Sequence, residues 1–561
     1  MAQSKIVQAD VVAHEASRED NAEKGVQPPL QYVRSASDGP LSPEAEVLGT
    51  TVDEKEDIEA STAEPAAVLA SEDYSVFTVP QKRAIVLAGS FLGLFSPMTG
   101  SIYYPALNLI AADLHTTSTK INITVTTYLI IQGLAPMMIA GFSDKAGRRP
   151  AYAICFAIYI VANLALALQN SYVALLILRM LQSAGSSGTI ALAQGLVGDC
   201  IVSADRGQYI AWASVGSLLG PTISPLLGGV ISQYAGWHWI FWFLLILSIA
   251  ACIPTALFLP ETCRNVVGNG SVPPPWSSKN LTDHIRFKNR EKKGIAVDQE
   301  KLAELRKNFR LSIPNPIATL IVLADLESAL ILFATGMSMA LFYAISAGAS
   351  QNFREVYGYD ELHISLMFLP IGGGGIIAAF STGKLVDWNY RRHAIRLNFP
   401  VDRRRQADLS TFPIEEARMQ IGVPILLLGA AGAIGYGWLL EHRVSVAGPI
   451  LMLFLLGYTL TAGFQALNIL MIDIYPGQAA TATAANNVCR CLLGAAASAA
   501  IIPMSEAVGF GWAYTILSLL FVGSTVALIP VMRSGMRWRR VKKDKAEKKQ
   551  VARELKESQI R

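Results

Sequence analysis

The second long apolar segment of the chain ends in Ala140-Gly-Phe-Ser-Asp144-Lys-Ala-Gly147-Arg148-Arg149-Pro150. This charged stretch follows a mostly apolar run that begins near residue 122. A run of about 20 apolar residues is long enough to cross the hydrocarbon core of a bilayer as a helix. Charged side chains at its end indicate the membrane surface, because an ionised group inside the bilayer is costly. The stretch therefore places the chain in a membrane and marks one end of a helix.

Composition supports a membrane protein. The chain has 561 residues, of which 52% are hydrophobic and only 16% charged, whereas soluble proteins carry about 25% charged residues. An ordinary soluble enzyme is therefore excluded. The ten-residue alternation of a β-barrel is absent, so we predict an all-α protein. Twelve apolar segments lie near residues 86–110, 122–143, 150–168, 171–198, 207–233, 238–259, 328–348, 362–382, 422–440, 445–472, 480–502 and 510–532.

A polar, basic gap divides these segments into six and six. We predict an N-terminal half at 81–260, a cytoplasmic linker at 261–314 and a C-terminal half at 315–532. The end of the eighth segment reads Gly383-Lys-Leu-Val-Asp387-Trp-Asn-Tyr-Arg391-Arg392. It repeats an aspartate followed four and five residues later by paired arginines, as at the end of the second segment. Two pseudo-symmetric halves of this kind are typical of secondary transporters.

The charges of the two termini differ in sign. Residues 1–80 carry 16 acidic and 5 basic side chains, with no long apolar run, which predicts a disordered acidic tail. Residues 533–561 carry 12 basic and 4 acidic side chains and form a basic tail. We expect this tail to contact anionic lipid or solvent rather than nucleic acid.

Lysines and arginines in the loops give the orientation. With the N-terminus inside, the inner segments hold 25 of them and the outer loops three. The positive-inside rule therefore predicts that both termini are cytoplasmic. The six cysteines and seven histidines form no metal or catalytic pattern, and no P-loop is present, so we expect no cofactor, no metal and no enzyme.

The stretch at residues 140–150 resembles motif A of the major facilitator superfamily, with Ala140 in place of the usual glycine and Lys145 in place of the usual arginine. The resemblance implies a cytoplasmic latch. Asp144 would cap the helix that begins near Gly477, and Arg148 would reach a carboxylate such as Asp199. A plain positive-inside anchor is the alternative, but it does not account for the spacing. The predicted latch residues are Asp144, Gly147, Arg148, Arg149 and Asp199.

Two further motifs lie in the fourth and fifth segments. Leu175-x3-Arg179-x2-Gln182-Ser-Ala-Gly185 resembles motif B, in which Arg179 and Gln182 would serve proton coupling. The alternative is a structural arginine bonded to helix carbonyls. The fifth segment resembles motif C, which marks exporters of the superfamily, with Ser224 at one usual glycine. Its bent, closely packed residues are Gly216, Gly220, Pro221, Pro225, Gly228 and Gly229. Generic small-residue packing would explain the glycines but not the paired prolines.

Shorter matches point to the fungal twelve-helix drug:proton antiporter (multidrug resistance) group. They are Ser101-Ile-Tyr-Tyr-Pro105, Leu259-Pro-Glu261-Thr262 and Phe412-Pro-Ile-Glu415. The resemblance implies a monomeric plasma-membrane exporter of drugs, toxins or fungal secondary metabolites. It would work by alternating access and exchange its substrate for protons.

Charges inside the bundle suggest an alternative. The two deep charges are Arg179 and Arg490, and no acidic residue lies between Arg83 and Ile110, where many drug:proton antiporters carry one. Two buried cations suit an anionic substrate, so a dedicated organic-acid exporter, for example of a citrate-like polycarboxylate, stays open. Arg490 could instead bond to Asn486, Asn487 or helix carbonyls. A non-transporting nutrient sensor is a third hypothesis. The candidate cavity residues are Gln132, Gln194, Tyr343, Gln465, Asn468, Asn487 and Arg490.

Overall fold

The computed structural model describes residues 74–201, 206–275, 278–292, 302–303, 322–397, 412–474, 479–542 and 544. Most of the predicted acidic tail, and most of the basic tail beyond Lys542, lie outside these residues. Within the described part, eleven helical segments are long and apolar enough to cross a membrane. The last of them contains two helices, so the predicted all-α fold with twelve membrane helices is confirmed.

The N-terminal half contains six membrane helices. The first, α1, spans Val79–Asp113 and is broken into Val79–Gly93, Phe95–Ser101, a 3-10 turn at Tyr104–Ala106, and Leu107–Asp113. The other five are α2 (Ser118–Ala146), α3 (Arg148–Leu168), α4 (Tyr172–Cys200), α5 (Arg206–Ala235) and α6 (His238–Phe258).

The C-terminal half also contains six. They are α7 (Leu326–Tyr357), α8 (Glu361–Arg396), α9 (Ile414–Glu441), α10 (Ala447–Ile474), and then α11 and α12, which share the segment Ala479–Val526. Gly509 separates α11 from α12, because its φ of 81° and ψ of 165° lie outside the helical region. Here a residue with a Cβ would be strained.

The linker and the C-terminus carry further helix. Two short helices, Arg264–Val267 and Leu281–Lys292, follow α6 in the predicted linker. After α12 the helical segment extends to Lys542, ten residues into the predicted basic tail. Arg539 bonds there to Glu415 at the start of α9, with an Nε–Oε1 distance of 2.9 Å. The first part of the basic tail is therefore packed against the C-terminal half.

Glycines let α5 lie directly against α1. A Cβ on Gly216 would lie 1.9 Å from the carbonyl oxygen of Ser90, and one on Gly228 would lie 2.0 Å from that of Ile102. Gly229 instead faces α8 of the other half, where a Cβ would lie 2.2 Å from Ser365 Cβ. The small residues of α5 thus pack α1 within the half and α8 across the two halves.

The two ends of the bundle are packed differently. We call them the Arg148 end and the Asn108 end after residues that lie there. Near the Asn108 end, all ten residues of α7 from 344 to 353 are buried. Near the Arg148 end, none of the nine residues of α2 from 134 to 142 is buried. Since a helix that packs on several sides loses its exposed surface, the halves meet more closely at the Asn108 end.

The close contact of α5 with α1 gives a prediction about stability. We expect Gly216→Ala to destabilise the protein by about 1–3 kcal/mol, because the added methyl group would overlap the backbone of α1. The matched control is Gly373→Ala in α8, where nothing lies within 4 Å of the added Cβ. That control should be neutral or slightly stabilising, since alanine favours the helix. Thermal unfolding in detergent compares the two variants, and equal midpoints would contradict the packing argument.

Candidate functional site

Arg148 joins the ends of three helices in the N-terminal half. Its Nε lies 2.9 Å from Asp199 Oδ2, and its Nη1 lies 2.6 Å from Asp144 Oδ1. A second bond runs from Nη2 to Asp199 Oδ1 at 3.3 Å, which makes the Asp199 pair bidentate. The side chain of Asp144 is 58% exposed and that of Asp199 only 9%. The Asp199 pair is therefore the stronger one, because water screens it less.

Glu261, at the start of the linker, binds the first turn of α3 beside these ion pairs. Its carboxylate accepts hydrogen bonds from the backbone N–H groups of Arg148 at 2.8 Å and Arg149 at 3.1 Å, at the start of α3. A carboxylate at a helix N-terminus is stabilised by the helix dipole. Gly147 permits the approach, since its φ is 110° and a Cβ there would lie 2.6 Å from Glu261 Oε2. The sequence noted Glu261 only as part of a matching tetrapeptide and gave it no role.

The C-terminal half repeats the latch with a different arginine. Arg418, in the second turn of α9, places Nη1 3.0 Å from Asp387 Oδ1 and Nε 3.0 Å from Asp473 Oδ2. Among the described contacts, the paired arginines Arg391 and Arg392 take no part in this cluster. The repeat is therefore spatial: in each half one arginine at the start of a helix bridges aspartates at the ends of two neighbours. The spacing of charges within one segment could not predict Arg418, because it lies in a different helix from Asp387 and Asp473. The predicted cap of Asp144 on the helix near Gly477 lies outside the described residues.

The segment before α1 is bound beside the first latch. The Arg264 guanidinium stacks 3.5 Å from the ring centre of Tyr74 and donates to its carbonyl oxygen at 2.8 Å. The Tyr74 hydroxyl donates to the Gly198 carbonyl oxygen at 2.8 Å, and Arg264 Nε donates to that of Asp199. Linker, N-terminal segment and α4 thus converge at Asp199.

Arg179 lies in an aromatic cage at the centre of the N-terminal half. Its side chain is fully buried, and its Cζ lies 4.3 Å from the ring centres of both Tyr103 and Tyr128. Nη1 donates to Gln182 Oε1 at 2.6 Å and to the Thr99 carbonyl oxygen at 3.4 Å. Two desolvated cation–π contacts of about 2 kcal/mol each are together large enough to offset the insertion cost of about 3 kcal/mol for the charge. Aromatic faces therefore do most of the compensation, which neither sequence-based interpretation had included.

A hydrogen-bonded chain leads away from this cage. Gln182 Nε2 donates to Asn163 Oδ1 at 2.7 Å, and Asn163 donates to the Tyr159 carbonyl oxygen. The Tyr159 hydroxyl lies 2.6 Å from Thr99 Oγ1. Within the described residues, Arg179 contacts no carboxylate, and its Nε and Nη2 have no hydrogen-bond partner. The predicted pair of Arg179 and Gln182 is thus in direct contact, without an acid beside it.

Arg490 lies where α11 meets α2 and α7. Its Nε donates to Asn487 Oδ1 at 2.9 Å, and Asn487 donates to the Gln132 carbonyl oxygen of α2 at 3.1 Å. Tyr343 of α7 interacts electrostatically with Arg490. Its guanidinium also bonds to the side chain of Cys491, and among the described residues it contacts no carboxylate. The hydrogen bond to Asn487 is one of the alternatives that the sequence left open.

The other predicted cavity residues are more dispersed. Asn468 accepts a bond from Asn486 at 2.9 Å, one position from Asn487. Gln194 donates to Ser214 between α4 and α5, away from Arg490. Gln465 is half-buried on α10. Of the seven candidates, Tyr343 and Asn487 therefore lie beside Arg490. Gln132 reaches this group only through its carbonyl oxygen, because its side chain donates to Ser96 Oγ at 3.2 Å. No group of three or more metal-ligating side chains occurs among the residues that the structure describes.

Besides the bond from Asn487 to the Gln132 carbonyl oxygen, further hydrogen bonds join the halves toward the Asn108 end. Asn108 donates to the Ser350 carbonyl oxygen at 2.7 Å, and Ser350 Oγ donates to that of Tyr104 at 2.5 Å. Asn122 and Ser498 bond to each other in both directions. The sequence did not predict these contacts, because single polar residues at helix ends are common and carry no recognisable spacing.

The thiol of Cys263 reports the state of the latch. It is buried, its Sγ donates to the Asp144 carbonyl oxygen at 3.3 Å, and burial raises its pKa to about 12. Because the thiolate is the reactive form, we expect slow alkylation at pH 7.5. Asp199→Asn should accelerate alkylation at least fivefold, because it leaves Arg148 buried without its bidentate partner.

Asp144→Asn is the matched control for that experiment. It removes the exposed carboxylate and should change the rate less than twofold. Maleimide labelling of the purified protein, followed by mass spectrometry of the peptide that contains Cys263, gives both rates. Equal rates in the two variants would contradict the assignment of the latch to the Asp199 pair.

The comparisons with known proteins agree with this geometry. The sequence profile of the Major Facilitator Superfamily matches residues 89–499. The MFS-type transporter phiD of a fungal species (strain ATCC 74256) is 53% identical over 483 residues, covering 86% of this chain and 73% of the relative. The MFS-type transporter tstD of Talaromyces stipitatus is 49% identical over 479 residues, covering 85% of this chain and 86% of the relative.

A more distant relative and a solved structure extend the comparison. Citrate exporter 1 of Aspergillus niger is 31% identical over 532 residues, covering 93% of this chain and 95% of the relative. The xylose transporter XylE from E. coli, in a partially occluded inward open conformation, has a TM-score of 0.55 at 14% identity. The structural alignment covers 81% of this chain and 97% of the chain of that transporter, which shows that the two proteins share a fold. This chain, a multi-pass membrane transporter and not an enzyme, therefore belongs to the major facilitator superfamily.

Proposed function

We propose that the protein exports small organic molecules, namely drugs, toxins or fungal secondary metabolites, by alternating access coupled to inward protons. The observation that carries this proposal is the unequal packing of the two ends of the bundle. Residues 134–142 of α2 are half-buried or exposed near the Arg148 end, whereas residues 344–353 of α7 are all buried near the Asn108 end. A bundle that is tied at one end and loose at the other is one of the two states that alternating access requires.

The Arg148 end is the cytoplasmic end in this proposal. The 25 to 3 distribution of lysine and arginine supports this orientation, with both termini inside. The latches around Arg148 and Arg418 then lie on the cytoplasmic side, where they hold each half together as a rigid unit. Asn108, Asn122, Ser350 and Ser498 close the outer side and must separate when the substrate leaves. We place a monomeric protein in the plasma membrane.

Proton coupling is the finer part of the proposal. It rests on the resemblance of Arg179 and Gln182 to motif B and of the glycines and prolines of α5 to motif C. The direct bond of Arg179 to Gln182, 2.6 Å long, supports a shared role for these two side chains. Exchange for protons would use a gradient that is directed into the cell.

Transport assays in inside-out vesicles test direction and coupling. We expect vesicles with an acidic interior to accumulate at least one member of a panel of citrate, cycloheximide and rhodamine 6G. A protonophore should abolish this uptake, and Arg179→Gln should reduce it at least tenfold with the protein still in the membrane. Uptake that persists unchanged after the proton gradient is collapsed would contradict antiport.

Organic-acid export is the second candidate, and Arg490 favours it. The guanidinium bonds to the side chains of Asn487 and Cys491 and contacts no described carboxylate. An unneutralised cation between the halves suits a carboxylate substrate. The relative named Citrate exporter 1, at 31% identity over 93% of this chain, supports the same substrate class.

The Arg490 hypothesis predicts a charge-dependent effect. Arg490→Gln should lower citrate transport at least tenfold, whereas Arg490→Lys should keep part of it, because lysine retains the charge but not the bidentate geometry. Transport of neutral or cationic compounds should change little in both variants. Arg392→Gln, which removes an exposed arginine, is the control. Unchanged citrate transport in Arg490→Gln would exclude this substrate role.

A further inference from the structure

A cavity opens between α3 and α6 at the Arg148 end, away from the polar centre of the bundle. Its volume is about 100 Å³. Arg149, Tyr152 and Phe156 of α3 form one wall, and Cys252 and Thr255 of α6 form the other. A mostly apolar cavity between two membrane helices, with an arginine at its rim, differs from a substrate path between the two halves.

The hydroxyl of Tyr152 indicates that a polar group belongs in this cavity. Tyr152 is 2% exposed, and its hydroxyl has no hydrogen-bond partner in the described residues. Buried hydroxyl groups are almost always paired, because an unpaired one keeps the full cost of leaving water. The ring lines the cavity, so a bound molecule is the simplest source of the missing acceptor.

Arg149 supplies a positive charge beside this hydroxyl. Its guanidinium donates to two carbonyl oxygens, those of Ser278 and Ala256, the latter at 2.5 Å. It forms no ion pair with a carboxylate of the described residues. Asp283 and Glu261 interact with it electrostatically over a longer distance, and the Glu261 oxygens already accept backbone N–H groups. Carbonyl contacts orient the guanidinium without neutralising it.

The short linker helix Leu281–Lys292 extends the same surface. Asn280 and Thr282 fix its start by donating to the carbonyl oxygens of Leu259 and Phe258 at the end of α6. Leu281 and Ile285, one helical turn apart, are 49% and 51% exposed. The flanking lysines, Lys279 and Lys288, are also exposed. Exposed apolar and basic residues beside a membrane helix are typical of an interfacial helix.

We propose that the α3–α6 cavity and the linker helix form a binding site for an anionic glycerophospholipid. Arg149 binds the headgroup phosphate, the Tyr152 hydroxyl donates to a lipid oxygen, and the start of an acyl chain fills the apolar part between the helices. Leu281 and Ile285 lie in the same leaflet, and Lys279 and Lys288 add positive charge to that of Arg149, beside the acidic Asp283 and Glu261. Binding requires only that the Arg148 end lies at a membrane surface, so it does not depend on the direction of transport.

Tyr152→Phe is the decisive variant because the hydroxyl bonds to no described protein group. The variant should therefore fold as stably as the wild type without lipid. Stabilisation of the purified full-length protein by phosphatidylserine in detergent micelles gives the apparent affinity. We expect it to be about threefold weaker in Tyr152→Phe and about tenfold weaker in Arg149→Gln, which loses charge-assisted bonds to the phosphate. The control Arg392→Gln removes an exposed arginine at the same end of the other half and should match the wild type.

Two comparisons distinguish the lipid from other ligands. Phosphatidylcholine should stabilise the protein less than phosphatidylserine at equal concentration, and inorganic phosphate should have no effect at millimolar concentration. Native mass spectrometry should show a bound anionic lipid in the wild type that is depleted in Tyr152→Phe. Equal stabilisation by both lipids, stabilisation by phosphate alone, or unchanged lipid retention in both cavity variants would overturn the proposal.

Discussion

The cost of burying an unpaired charge organises this protein. The side chain of Arg148 is 9% exposed, and its positive charge is paired with Asp144 and Asp199. The negative charge of Glu261 beside it is stabilised by the backbone N–H groups of Arg148 and Arg149. Arg418 meets the same requirement in the other half with Asp387 and Asp473. Because removing one partner would strand a buried charge, each cluster fixes the ends of three helices relative to one another. Rigid halves of this kind are what the proposed alternating access requires.

Inside the bundle, the buried charges of Arg179 and Arg490 are compensated in two different ways, and this difference indicates different roles for the two arginines. Arg179 is enclosed by the rings of Tyr103 and Tyr128 and bonded to Gln182, within one half. Arg490 lies between the halves and bonds to Asn487 and Cys491, and it contacts no described carboxylate. A caged cation within one half can respond to changes in its surroundings, whereas a cation between the halves without a carboxylate partner can meet an anionic ligand. The two arginines therefore suit coupling and substrate recognition respectively, which keeps both proposed functions compatible with one architecture.

Small residues decide how close the helices come. Gly216 and Gly228 bring α5 against the backbone of α1, and Gly229 reaches α8 of the other half. Pro221 and Pro225 lie in the same helix and remove two backbone donors. One face of α5 therefore contacts its own half, while positions such as Thr222 and Gly229 contact α8 of the other half.

The sequence by itself determined the membrane fold and the twelve helices, and it predicted that Arg148 reaches Asp199. Length, apolar runs and charge position are local properties, and the bilayer acts on each segment separately. Only the tertiary structure decided that Arg418 takes the part of Arg148 in the second half, that tyrosine rings enclose Arg179, and that Tyr343 lies beside Arg490. Those partners come from helices far apart in the chain, and which faces meet depends on the packing of the whole bundle. The buried, unpartnered hydroxyl of Tyr152 could likewise not be predicted from the sequence, because the cavity that it borders forms only when α3 and α6 have packed together.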